Sequence, residues 1–331
     1  MTMRVLALAL CMVWMAHAGP IPVIIDTDIG DYFDDSWAIA LALSSPALDV
    51  RMVVTAAHNT SARAQIVAKY LTAYGRTDIP IGVGKSQDAT IGPLYAWAQD
   101  TPLSSYAGPV FLDGVAAAAD LIRTASANGE TLQYLALAPY VNFEALRTRF
   151  PQEAGAVRHV TAMGGAIHLC YTGPAPPCHE YNVNEDLDAS RAFWGGPWGI
   201  TLTPLDASQV EMDAPSFAML ADHNTSSHTM VQTLLESSCV WDQYKVCFPG
   251  SSKPFCCQHQ SFLMYDPITT WMAIDQTGMH VDPLNVTLTQ GGQTELIPGQ
   301  GRPMDVALKW RSGGESSFFS HLAQLLVNYD A

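Results

Sequence analysis

The sequence predicts an α/β fold: a mainly parallel central sheet flanked by helices, of the Rossmann-like open type. Three observations predict it. Short β-branched runs alternate with helix-length apolar patterns, as βαβ units do. The chain is 48% hydrophobic and only 14% charged, enough for a large core. Several aspartates stand where the first strand ends and the first helix begins, and open α/β sheets bind ligands beyond the carboxyl ends of their strands.

Taken in order, residues 1–18 read as a signal peptide. Arg4 supplies a positive start, Val5 to Ala16 form a 12-residue apolar stretch, and Ala16-His17-Ala18 is a small-x-small cleavage site. A membrane span needs about 20 such residues. The expected mature chain, 19–331, has no linker, repeat or low-complexity run, so a single domain is expected. Strands are predicted at Val23–Ile25, Met52–Thr55, Leu132–Leu137, His159–Met163 and Gly199–Thr203. Helices are predicted at Asp34–Leu43, Ser61–Tyr74, Phe111–Ala127, Phe143–Phe150, Ala214–Ala221 and Ser317–Val327. The stretch Ser237–Gln260 breaks this rhythm and reads as a cysteine-rich surface excursion.

Charge and cysteine usage narrow the function classes. A net charge of -15 argues against nucleic-acid backbones and anionic membrane surfaces as partners. Past the signal segment six cysteines remain: Cys170, Cys178, Cys239, Cys247, Cys256 and Cys257. An even number in a secreted chain suggests disulfides, with fifteen possible pairings. Proximity favours Cys170 with Cys178, and pairing within the Cys239–Cys257 cluster. No CxxC spacing supports zinc. Sequons stand at Asn59, Asn224 and Asn285.

The chemistry concentrates in VIIDTDIGDYFDDSWAIALAL, which holds Asp26, Asp28, Asp31, Asp34 and Asp35. So many like charges repel unless something positive sits among them. A hard cation with oxygen ligands answers that need. An EF-hand does not fit, because position twelve from Asp26 is Trp37 rather than Glu. An aspartyl phosphatase loop does not fit either, because Gly30 stands two positions after Asp28.

The string DTDIGDYFDD before an apolar helix resembles the N-terminal motif of the inosine-uridine preferring nucleoside hydrolase family. Further likenesses follow in order. Ala138-Pro139-Tyr140-Val141-Asn142 is similar to its G-P-L-T-N, and His159 to Ala166 to its MGGA strand end. Gly173 to Asn182 resembles its ribose loop, and Asp186-Leu187-Asp188-Ala189 its D-P-E-A. Pro204-Leu205-Asp206 matches its P-L-D, and Tyr265-Asp266-Pro267 its late H-D-P or Y-D-P. Together they cover residues 21 to about 310.

The resemblance implies a nucleoside hydrolase-like sheet and a secreted, calcium-dependent ribonucleoside hydrolase. Such an enzyme cleaves the N-glycosidic bond of purine or pyrimidine ribonucleosides to free base and ribose. Asp28 is implied as general base and calcium ligand, with Asp35, the carbonyl of Leu137 and Asp266 as the other ligands. Asp34 is implied to bind the ribose 2′- and 3′-hydroxyls, with Asn59, Glu180 and Asn182 as further sugar contacts. Trp97 and Trp271 are candidates to stack on the base. Tyr265 stands where some relatives carry an acidic histidine, and its reference pKa near 10 makes it a donor rather than an acid. Tyr32 and Phe33, in a two-residue expansion of the motif, are candidates to pack over the sugar. Asp26 is expected to support the turn, Asp31 to be a solvated loop charge, and His168 and His179 to be structural or at the rim. Pro174 departs from the family, which often has a ribose-binding asparagine there. Relatives are commonly dimers or tetramers, so a homo-oligomer is implied. The rival reading is a catalytically silent nucleoside- or ribose-binding protein on the same fold.

Overall fold

A computed structural model describes residues 19–174, 177–244 and 263–329. The expected signal segment and Cys247, Cys256 and Cys257 lie outside the described residues, as does the side chain of Cys239.

Among the described residues ten strands form one sheet: β1 Ile21–Thr27, β2 Leu48–Thr55, β3 Ile81–Val83, β4 Val110–Phe111, β5 Gln133–Ala136, β6 His159–Met163, β7 Gly199–Thr203, β8 Met279–Leu288, β9 Thr294–Glu295 and β10 Arg302–Trp310. Their order across the sheet is β4-β3-β2-β1-β5-β6-β7-β10-β8-β9. Neighbours from β4 to β10 run parallel, while β8 is antiparallel to β10 and β9 to β8. The chain winds outward from β1 through β2, β3 and β4, then returns to the other side of β1 with β5. That reversal leaves a crevice beyond the carboxyl ends of β1 and β5.

Both faces of β1 are covered, so its apolar run is continuous rather than alternating. Val23 and Ile25 enter one core with the helices Asp34–Ser44, Thr60–Ala73, Tyr265–Ile274 and Gly314–Val327. Ile24 enters the opposite core with Gly114–Ala127, Val141–Arg149 and Leu187–Trp194. This parity carries past the last apolar residue: Asp26 follows Ile24 to the second face, and Thr27 follows Ile25 to the first.

The five predicted strands and six predicted helices are present with small boundary shifts, β6 and β7 without any. Phe111 is the correction: it belongs to the edge strand β4, and the following helix starts at Gly114, where the Asp113 side chain accepts the Ala116 amide at 3.0 Å. The antiparallel pair β8 and β10 escaped the sequence reading. Most of β8 is only partly buried and it carries Pro283 in its middle, so it shows no period-two pattern. Among the described residues no helix is long and apolar enough to cross a membrane.

Candidate active site

The crevice holds a cavity of about 230 Å³ lined by Asp28, Asp31, Tyr32, Asp34, Asp35, Leu137, Met163, Tyr171, Glu180, Tyr181, Asn182, Tyr265 and Asp266. Sequence-distant segments meet there because most of them end a parallel strand or begin a helix. Asp28 follows β1, Leu137 follows β5 and Met163 ends β6. Asp34 and Asp35 open the Asp34–Ser44 helix, and Asp266 sits in the first turn of Tyr265–Ile274. Carboxylates at helix amino termini are favoured by the helix dipole, which offsets part of their mutual repulsion.

Carboxylate oxygens of Asp34, Asp35 and Asp266 lie within 4.8 Å of one another, all buried. Burial raises Asp34 to about 7, with the Asp28 charge adding to it. Burial, then the Asp34 charge, raises Asp35 to about 8, against a Thr27 hydroxyl that donates to its carboxylate. Asp28 and Asp266 also rise well above the ordinary carboxylate range, first from burial and then from neighbouring aspartates. The three carboxylates of Asp34, Asp35 and Asp266 are an all-oxygen donor set, which fits a hard divalent cation, and Asp28 and Leu137 line the same cavity. The geometric trio includes Asp34, which the resemblance assigned to the sugar rather than to the metal.

Among the described residues a cation of the chain itself lies beside this cluster. Arg63, on the Thr60–Ala73 helix, is buried beneath the loop. It donates to the carbonyls of Asp28, Ile29 and Ala57, and its Nη2 is 2.6 Å from Asp31 Oδ2. Asp31 is therefore an ion-paired member of the cavity wall, not a merely solvated charge. Arg63 escaped notice in the sequence although a signal existed: Arg63, Ile66, Val67 and Tyr70 share one buried helical face.

Asp26 does not support the turn locally. Its Oδ2 accepts from Asn142 Nδ2 at 2.7 Å, and Asn142 also donates to the Thr55 carbonyl at 3.1 Å and accepts the Lys85 amide at 2.7 Å. Asp26 is thus a long-range brace of β1, β2 and the chain after β3. Its Oδ1 has no hydrogen-bond partner, and burial raises it to about 7.

Glu180 and Asn182 both line the cavity, held by hydrogen bonds to backbone. Gly165, at φ +82°, turns its amide toward Glu180 Oε2 at 3.0 Å, and that oxygen also accepts from Val183 at 3.0 Å. Glu180 Oε1 accepts from the Asn182 amide at 2.8 Å, and Asn182 Nδ2 donates to the Leu137 carbonyl at 2.7 Å. Asn59 is not among the cavity-lining residues; its side chain caps the Thr60–Ala73 helix by accepting the Ala62 amide at 3.0 Å.

Neither Trp97 nor Trp271 is among the residues that line the cavity. Trp97 packs on Tyr70 with centroids 4.5 Å apart, and Lys69 Nζ lies 4.3 Å from its ring. Trp271 packs between Phe318 and His321. The rings at the cavity are tyrosines instead. Tyr265 has Tyr32 and Tyr171 at 6.2 Å each, and Tyr181 stands in the same wall. Phe33 is buried in the core and is not a lining residue. Burial pushes the Tyr265 phenol up, so it stays protonated. His168 and His179 are not among the lining residues. Cys170 and Cys178 are disulfide-bonded.

Comparisons with known proteins bear on this arrangement. A family model described as inosine-uridine preferring nucleoside hydrolase matches residues 23–314. A pyrimidine-specific ribonucleoside hydrolase of Escherichia coli O7:K1 is 27% identical over 195 residues, covering 57% of this chain and 61% of that protein. A Citrobacter koseri protein of the same description is 28% identical over 195 residues, with the same coverage. The chain thus spans about 61% of the length of these curated relatives. A purine-preferring ribonucleoside hydrolase from Gardnerella vaginalis superposes with a TM-score of 0.70 at 17% identity, covering 92% of this chain and 99% of that one. A plant nucleoside hydrolase superposes at 0.72 with 21% identity and the same coverage.

Proposed function

This chain belongs to the inosine-uridine preferring nucleoside hydrolase family, and from that premise we propose that it is a calcium-dependent ribonucleoside hydrolase. It releases a free base and ribose. The observation that carries this reading is the buried carboxylate cluster of Asp28, Asp34, Asp35 and Asp266 beside the Leu137 carbonyl. When bound, a calcium ion there would make a water easier to deprotonate and orient the sugar hydroxyls.

The chain's own groups do the rest. Asp28 accepts a proton from the water that attacks the anomeric carbon. The surrounding carboxylates stabilise the positive charge of an oxocarbenium-like transition state, as in other glycoside cleavage. Asp34 accepts hydrogen bonds from the ribose hydroxyls. Glu180, pinned by three backbone amides, and Asn182, pinned to the Leu137 carbonyl, keep the sugar side rigid. Tyr265 stays protonated and donates a hydrogen bond to the leaving base. The tyrosine wall excludes water from it.

The protein is proposed to be secreted, with 1–18 removed and 19–331 acting as one domain. The charged-then-apolar start and the Cys170–Cys178 bridge support this.

The test is release of reducing sugar from inosine, guanosine, adenosine, uridine and cytidine, with calcium or with chelator. Release with calcium and its loss with chelator are expected. No release from any nucleoside would sink the enzyme reading in favour of a silent binding protein.

A further inference from the structure

We propose that Tyr171 is a substrate-binding residue held in place by the Cys170–Cys178 disulfide, which clamps the base-side wall of the cavity; this rests on the ribonucleoside reading above. Tyr171 lines the cavity although it is 44% exposed. A half-exposed ring on a loop has many rotamers to lose when a ligand orders it, and each such side chain weakens binding. Here the ordering is already done.

The ring sits at the tip of a tight turn. Cys170 and Gly173 exchange backbone hydrogen bonds at 2.9 and 3.0 Å, and Gly173 adopts φ +103°, which suits glycine. The base of the turn is fixed by the disulfide to Cys178 and by Gln209 Nε2, which donates to the Cys170 carbonyl at 3.0 Å. Cys178 lies two residues before Glu180, so the bridge welds the Tyr171 turn to the segment that carries Glu180 and Asn182. The Tyr171 hydroxyl closes the same circuit non-covalently. It accepts the Tyr181 amide at 3.0 Å and reaches Glu180 Oε1 at 3.5 Å.

The ring itself meets Tyr265 edge-on, with centroids 6.2 Å apart and planes at 79°. Tyr265 is fixed by its helix, whereas the Tyr171 turn belongs to no helix or sheet strand. Its placement therefore depends on the bridge and the hydroxyl. The ligand class this wall suits is a planar aromatic group, the nucleobase.

The experiment measures kcat and KM for inosine and uridine with the calcium-loaded full chain. Wild type is compared with Tyr171→Ala, with the pair Cys170→Ser and Cys178→Ser, and with the triple variant. Tyr171→Ala and the cysteine pair should each raise KM by about tenfold, the scale of one side chain left unordered, while kcat moves less than about threefold. The triple variant should be no worse than Tyr171→Ala, because both changes remove the same contact. An unchanged KM in the cysteine pair, or effects that multiply in the triple variant, overturns the clamp. If the cysteine pair does not fold, Tyr171→Phe keeps the ring and removes its hydroxyl anchor. Its KM should rise by about threefold, and no rise overturns the proposal. If the wild type binds nucleosides without cleaving them, the hydrolase reading fails alone. The same comparison is then read from Kd by calorimetry, where equal values for wild type and Tyr171→Ala overturn the clamp. A wild type that binds no nucleoside overturns both.

Discussion

Asp28 and Arg63 show how differently one loop treats its two kinds of charge. Asp28 is buried in the cavity wall, and its backbone carbonyl, not its carboxylate, takes the Arg63 hydrogen bond. The carboxylate is left for the role of base proposed above. Asp28→Asn keeps the shape and removes the base, so hydrolysis should fall by about 10² to 10⁴; wild-type rates in that variant would refute the mechanism. Arg63 compensates the cluster from below, with only 4% of its side chain exposed. Burial opposes its charge, but Asp28 and Asp31 outweigh that and raise its pKa. Arg63→Ala strands Asp31 and three carbonyls together. It should cost about 3 kcal/mol in urea unfolding, and a loss below about 1 kcal/mol would show that Arg63 is dispensable.

At the scale of elements, the site is assembled from strand ends and helix starts, and the connections carry its cost. After β2 the chain turns through Ala57 at φ +60° and His58 at φ +47°. Left-handed backbone costs a residue with a Cβ about 1 kcal/mol or more. The turn directs the Ala57 carbonyl to Arg63 Nε at 3.1 Å and brings His58 Nε2 to the Tyr181 hydroxyl at 3.2 Å. Ala57→Gly should therefore stabilise the fold by about 0.5–1 kcal/mol; a lower melting temperature would show the turn to be unstrained. Residues in the recognisable motifs also serve the elements. Asp186 caps the Leu187–Trp194 helix through the Ala189 amide at 2.9 Å. Asp206 accepts the Ile167 and His168 amides at 2.8 and 2.7 Å. These carboxylates look catalytic in a string of letters, yet their oxygens are spent on backbone.

For the whole molecule, the cluster ties stability to pH. Asp34 and Asp35 have pKa values of about 7 and about 8, above the ordinary 3.8. A carboxylate raised by folding holds its proton in the folded chain after the unfolded chain has released it. Its contribution to stability is full below about pH 4 and is lost as pH rises through 7 to 8. A divalent cation competes with those protons, so its apparent affinity grows over the same window. The rise in melting temperature on adding calcium should be larger at pH 8.5 than at pH 5.5. A shift independent of pH, or none at all, would count against the cluster as a metal site. At a hundredfold excess over Kd the binding adds about 2.7 kcal/mol.

Much of this was legible in the residues alone. The parallel sheet followed from β-branched runs alternating with helical ones, because burial on both faces writes itself into local composition. The cation demand of Asp28, Asp34 and Asp35 followed from charge density. Other features were not legible, because they depend on distance through space. Trp97 and Trp271 have the right chemistry for a base, but each packs on the side of a helix, while tyrosines from the segments at 32, 171 and 265 converge instead. The strands β8 and β10 carry no clear period, and it is their pairing that defines them. Asp26 and Asp28 differ by two positions, yet one braces β1 against Asn142 and the other faces the cavity, because the strand ends between them. The sequence by itself determined the parallel centre of the sheet, the carboxylate cluster and the chemistry that the cluster demands, since these rest on periodicity and charge. Only the tertiary structure decided which carboxylates gather in one cluster, which cation supports them and which rings line the cavity, since those are set by the crevice where β1 and β5 part.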